Sequence, residues 1–117
     1  MMTESKKTGL WGEIYAARYL RQKGYSIKSS NYSLSGGEID IIAEKNDVFC
    51  FVEVKTRSDG AYFSPAEAVD YHKENNVRNA AAAYMTRYKI DKDIRFDIIE
   101  IILDKDKYKI KHTKNAF

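Results

Sequence analysis

Two apolar stretches of this chain carry charge where an ordinary core would carry none. In "GEIDIIA" (Gly37–Ala43), Glu38 and Asp40 alternate with isoleucines; in "FVEVKTR" (Phe51–Arg57), Glu53 and Lys55 alternate with valines. Both runs have the two-residue period of β-strands. Paired carboxylates on neighbouring strands, with a lysine two residues after one of them, suit metal-assisted hydrolysis of a phosphodiester. Asp40 and Glu53 would bind Mg2+ or Mn2+; magnesium keeps several waters and needs few protein ligands. Such an ion polarises a phosphoryl oxygen and lowers the pKa of a bound water. Lys55 would position that water or stabilise the charge that develops on the phosphate.

The chemistry requires these side chains on one face. With Lys45 and Asn46 at a hairpin tip, Ala43 pairs with Val48, Asp40 with Phe51 and Glu38 with Glu53. Opposed residues share a face, so Glu38, Asp40, Glu53 and Lys55 project together. Ile39, Ile41, Val48, Cys50, Val52 and Val54 take the other side. Carboxylates so placed repel, and burial worsens the repulsion, so a cation must offset them.

The helices that must flank such a sheet carry matching ionic residues. "TGLWGEIYAARYLRQKGY" has helical spacing, with Leu10, Ile14, Ala17 and Leu20 on one face and Gly24 as its stop. Glu13 falls within that apolar face and would complete the metal shell. A second helix is expected from Ser64 as N-cap, with Pro65 at the first position and Glu67 as capping partner. Its stripe of Val69, Val77, Ala80 and Tyr84 encloses Lys73, which would neutralise a phosphate beside the scissile one. Each residue alone has a structural reading: Glu13 as a first-turn acid, Lys73 as a side chain reaching to water. Together with the hairpin acids they point to one polar site.

Adding "YSIKSSNYS", "IRFDIIEIIL" and "KYKIKHT" as strands gives the order α-β-β-β-α-β-β. The expected fold class is α/β, a mixed central β-sheet flanked by helices. At 117 residues this is one domain, with a core over about 9–103 and a basic C-terminal strand over 107–113. The single cysteine, Cys50, leaves no internal disulfide and suits a reducing compartment. No stretch has the apolar length of a membrane helix, and the first residues lack the apolar run of a signal peptide, so a cytoplasmic protein is expected.

The net charge of +3 matters less than its arrangement. Lys105, Lys107, Lys109 and Lys111 line one side of the last strand, with Tyr108 and Ile110 on the other. Lysines protect an edge strand, and they also contact phosphates. Lys6, Lys7, Arg57, Lys73 and Arg78 join them as candidates for backbone contact, and Tyr62 and Phe63 as candidates to stack on a base. Rival chemistries find little support: there is no glycine-rich phosphate loop and no Ser-His-Asp arrangement, and His72 reads as a surface residue.

Asp40, then Glu53-Val54-Lys55, after a helix bearing Glu13, resembles the PD-(D/E)xK nuclease superfamily. The closer likeness is to the YraN-like family of small bacterial proteins, related in turn to archaeal Holliday junction resolvases. It rests on "GLWGEIYAARYLRQKGY", "NYSLSGGEIDIIA", "FVEVKTR" with Gly60, "AVDYHKENNVRNAAAAYM" and "RFDIIEI", over about residues 9–101. The resemblance implies a restriction-endonuclease-like fold and metal ligation by Asp40, Glu53, Glu13 and the Val54 carbonyl. It makes Lys55 the catalytic lysine and Glu13 the helix-borne acid of the resolvase branch, and places Lys73 where relatives carry a basic residue. One departure is Ser33, where such relatives often have arginine; it puts a phosphate contact there in doubt. The expectation is a Mg2+- or Mn2+-dependent DNA endonuclease, with branched DNA as candidate substrate and a homodimer as candidate assembly. The alternative is a non-catalytic nucleic-acid-binding module that keeps the fold.

Overall fold

The computed structural model describes residues 4–34, 36–58, 61–63 and 70–117, with side chains from residue 7 onward. The expectations for Gly60, Ser64, Pro65, Glu67, Val69 and the Lys6 side chain fall outside these residues.

The described elements are α1 (Glu4–Gln22), β1 (Ser26–Leu34), β2 (Gly37–Lys45), β3 (Val48–Arg57), α2 (Tyr71–Arg87), β4 (Asp93–Asp104) and β5 (Lys107–Thr113). This is the expected α-β-β-β-α-β-β order. The strands form one five-stranded sheet in the order β1-β2-β3-β4-β5. Its pairs are antiparallel except β3 with β4, which run parallel and are joined across α2.

Each sheet face has its own core. On one, Ala16, Ala17 and Leu20 of α1 cover Ile41, Ala43, Cys50, Val52, Ile99 and Ile101. On the other, Val77, Ala80, Ala81 and Tyr84 of α2 cover Ile39, Ile42, Phe49 and Phe51. Strands buried on both faces read as nearly continuous apolar runs, as "GEIDIIA" and "DVFCFVEV" do.

The stripe expected to bury α1 is rotated. Leu10 and Ile14 are exposed, while Gly12, Ala16 and Leu20 face the sheet. Small residues let the helix approach closely: a Cβ on Gly12 would stand 1.8 Å from Thr56 Oγ1. The helix closes where expected. Gly24 adopts φ +94°, Tyr25 N–H donates to Leu20 O, and Gly24 N–H donates to Arg21 O. That pair of bonds is a Schellman ending with glycine in the left-handed region.

Helix α2 begins later than expected. Asp70 has extended backbone and caps it, its side chain accepting from Lys73 N–H at 3.1 Å, so no continuous helix runs from Ser64 to Tyr88. The hairpin tip is also displaced by one residue. Asn46 and Asp47, with φ 53° and 62°, form the turn, and Lys45 pairs with Val48. Positive φ at both positions suits the type I′ turn that a twisted hairpin prefers. Asp40 therefore does not pair with Phe51, whose partner is Ile42. A tip moved by one residue shifts each pairing by two, which leaves faces unchanged.

One face assignment fails. Ile39 packs on the α2 side while Ile41 packs on the α1 side. Residues two apart should share a face, so the alternation breaks between them, at Asp40.

Candidate functional site

The break at Asp40 coincides with the end of the β2–β3 ladder, whose last recorded pair is Ile41 with Val52. Beyond it the strand amide of Val54 turns to a side chain, donating to Asp40 Oδ2 at 2.8 Å. Asp40 thus sits in the fork between the two strands. Burial pushes its carboxyl above the usual range; the Val54 N–H and the charge of Lys73 oppose this, and Glu53 and Glu38 add to it.

Both helices deliver charge to this fork. From α1 comes Glu13, half-buried and hydrogen-bonded by the Asn31 side chain; burial raises its carboxyl, Asn31 lowers it, and Asp40 raises it further. Asn31 holds φ 53° within β1, a conformation asparagine tolerates well. From α2 comes Lys73, whose Nζ lies 2.7 Å from Glu53 Oε1. Burial pulls the Lys73 ammonium down, but the Glu53 hydrogen bond and the charges of Glu53 and Asp40 outweigh it, so it is held above its usual value. Glu53 itself is 6% exposed.

Lys55 lies on the Glu53 face, in a cleft of about 240 Å3 lined with Glu53, Asp70, Lys73, Glu74 and Ile98. Lys73 also borders a second cleft, of about 280 Å3, beside Glu38, Asn76 and Gly37. Gly37 is needed there because a Cβ would fall 2.3 Å from the Asn76 carbonyl oxygen. The expected face thus holds for Glu53, Lys55 and Lys73, with Asp40 reached from both sides of the sheet.

The donor set fits a hard cation. Asp40 keeps one carboxylate oxygen clear of the Val54 bond, Glu53 keeps one clear of Lys73, and the Val54 carbonyl is a further oxygen. Among the described residues no group of three acids, histidines or cysteines is placed to hold a metal ion. Two carboxylates suffice for an ion that retains water.

The basic residues divide. Lys111 pairs with Glu100, which pairs in turn with Lys55; Lys109 pairs with Ile102, which pairs with Arg57. Residues opposed across a sheet share a face, so Lys107, Lys109 and Lys111 continue the Lys55 face to the sheet edge. Lys105 instead forms the β4–β5 turn, with φ 53°, and leaves the expected row. Arg57 Nη1 donates to the Tyr62 carbonyl at 3.3 Å. Arg78 is held by packing: it donates to Asn75, pairs with Glu74 at 3.7 Å and lies over the Phe96 and Phe117 rings. Tyr62 is exposed, Phe63 half-buried and Ser33 exposed.

Sequence reasoning missed Asp70 and the buried Glu74 and Glu100 beside Lys55. It also missed a network on the opposite face. Arg95 donates twice to Asp97, through Nε and Nη2 at 2.8 Å each, and also to Tyr25. His112 Nε2 bonds Asp97 Oδ2 at 2.8 Å, Tyr19 meets His112 Nδ1, and Asn115 N–H donates to Asp97. Burial alone would raise the Asp97 carboxyl; His112, Arg95 and the Asn115 amide bring it down to about 2. Burial and Asp97 together push the Cys50 thiol up to about 11, which leaves it unreactive at neutral pH. The available signal was an acid inside "IRFDIIEIIL".

The model of "Uncharacterised protein family UPF0102" matches residues 12–101. The chain belongs to the UPF0102 family. A UPF0102 protein of Alkaliphilus oremlandii is 49% identical over 116 residues, covering 97% of this chain and 99% of that one. Others from Syntrophomonas wolfei and Bacteroides thetaiotaomicron are 43% and 41% identical; they cover 97% and 99% of this chain, and 99% and 96% of their own. The UPF0102 match spans Glu13, Asp40, Glu53, Lys55 and Lys73, and stops before the β5 lysines. It agrees with the YraN-like resemblance of the motifs.

Proposed function

We propose that this chain is a metal-dependent endonuclease that hydrolyses DNA phosphodiester bonds, within the PD-(D/E)xK superfamily. The observation that carries this reading is the fork at Asp40. Asp40, fixed by the Val54 amide, feels the charge of the buried Glu53 on the side of Lys73 and Lys55, and on the other side Glu13 of α1 feels the charge of Asp40. Asp40, Glu53, the Val54 carbonyl and Glu13 would hold Mg2+ or Mn2+, which when bound activates water and polarises the phosphoryl oxygen. Lys55 orients the water and takes up negative charge on the phosphate. Lys73, once off Glu53, neutralises the adjacent phosphate. Arg57, Lys107, Lys109 and Lys111 hold the backbone, giving salt-dependent affinity with little sequence preference. Branched DNA and a two-fold homodimer are the substrate and assembly we favour, on the resolvase likeness alone.

The Lys73–Glu53 pair favours one alternative. It compensates Glu53 without any metal, as suits a non-catalytic DNA-binding module that keeps this fold. Calorimetric titration of Mg2+ and Mn2+ into wild type and Asp40→Asn, with cleavage of four-way, flap and linear DNA, decides between them. Metal binding lost in the variant, together with nicking by wild type, supports the nuclease. DNA binding with no metal binding and no nicking leaves the module.

A further inference from the structure

The outer face of α1 is unlike a solvated helix face. Trp11, the only tryptophan of the chain, is 53% exposed, and Leu10 and Ile14 beside it are nearly as open. Trp11 stacks on Tyr15 with centroids 5.9 Å apart and planes at 28°, and Tyr15 stacks on Tyr108 at 4.2 Å and 20°. Three rings in near-parallel series end in an indole that is largely in solvent. The cations Lys7, Arg18 and Arg21 share this face at helical spacing and are exposed. From Lys7 to Gln22 the only acid of α1 is Glu13, which points to Asn31 and Asp40.

Apolar surface, cations and a prepared stack together describe a ligand with a flat ring and a negative charge. A second copy of this chain would bring the same cations against these cations. The stack lies on the α1 side of the sheet, where Gly12 rests on Thr56, and across the helix from Glu13, which is two residues and about 200° of helical turn from Trp11. A base inside a duplex offers no free face, so the ring that stacks there along a strand comes from an unpaired nucleotide.

We infer that Trp11, backed by Tyr15 and Tyr108, is a stacking platform for an unpaired base, with Arg18 and Arg21 attracting the strand's phosphates. This rests on the nuclease reading for its substrate and narrows that substrate to DNA with single-stranded character. Stacking is nevertheless read without cleavage.

The test uses the full chain in EDTA, with tryptophan emission as the signal. Short oligothymidylate and a flap duplex should quench Trp11, and a blunt duplex should not. Trp11→Ala should weaken binding of a fluorescein-labelled oligothymidylate about tenfold, measured by anisotropy, with Trp11→Phe retaining most of it. Because Trp11 is exposed, circular dichroism of both variants should match wild type. Emission that answers phosphatidylglycerol vesicles and no DNA would overturn the inference in favour of a membrane surface. So would self-association abolished by Trp11→Ala without any DNA effect, or equal quenching by blunt duplex. Quenching without metal-dependent nicking would keep the platform and remove the nuclease; nicking without quenching would do the reverse.

Discussion

Lys73 Nζ lies 2.7 Å from Glu53 Oε1, with Glu53 buried and Lys73 half in solvent. A helix cation therefore stands at the acid that a divalent ion would approach. The arrangement solves the problem of a sheet built with clustered carboxylates, because Lys73 also lowers the cost of the charge on Asp40. A metal approaching Glu53, as proposed, would compete with this lysine.

Replacing Lys73 by methionine should expose that competition. Metal-free protein loses about 1–3 kcal/mol, the cost of a buried carboxylate left without its partner, reduced because Lys73 is half exposed. Added Mg2+ restores more stability to Lys73→Met than to wild type. Urea unfolding in EDTA and in Mg2+ measures both; equal gains from Mg2+ would refute the competition.

Asp40→Asn should separate stability from function. Its carboxamide oxygen still accepts from Val54 N–H, while the repulsion from Glu53 and Glu38 disappears. We expect metal-free protein to gain on the order of 1 kcal/mol, with metal binding and cleavage lost. Thermal unfolding alongside calorimetry tests the pair of outcomes; retained metal binding would remove Asp40 from the ligand set.

The glycines give a steric test. Gly37→Ala drives a methyl into the Asn76 carbonyl of α2, a backbone atom that cannot step aside, and should cost about 1–3 kcal/mol while moving Lys73 from Glu53. Gly12→Ala meets Oγ1, Cγ2 and Cβ of Thr56 first, so Thr56→Ala should rescue part of its loss and Thr56→Gly more. A double-mutant cycle on denaturant midpoints decides whether that coupling exists.

Asp97 predicts the acid limb of stability. Its carboxyl is held at about 2, below the usual 3.8, so the native state binds its proton less readily than the unfolded chain. That stabilisation, about 2 kcal/mol, is complete above the unfolded value and is lost as pH falls from about 5 through 2. Asp97→Asn should cost about 3 kcal/mol at neutral pH, because Arg95 loses its buried partner. Its stability should then vary less with pH in that window; an unchanged acid limb would show that other carboxylates set it.

Much of this was legible because strand parity is robust. The hairpin tip was misplaced by one residue, yet Glu53 and Lys55 kept their face, since the error moved pairings by an even number. Ile39 was misassigned because the alternation breaks at Asp40, and no periodic rule anticipates its own interruption. The exposed side of α1 was misread because Leu10 and Ile14 look like core, whereas glycine and alanine do the packing. The Asp97 network joins residues from Tyr19 to Asn115, a span that local pattern does not reach.

The parallel β3–β4 ladder also orders events in time. Strands β2 and β3 close over Asn46-Asp47, but β4 can join only after the chain has crossed through α2, and longer loops cost more entropy to close. Asp40 and Glu53 belong to that early hairpin, whereas Lys73 arrives with the crossover. A chain halted before docking of α2 carries the acids without their lysine. That species should bind Mg2+ more tightly than the finished protein, so an excess of the ion would hold the chain back from docking α2. A last refolding phase in stopped flow that is no slower in Mg2+ than in EDTA would exclude that role.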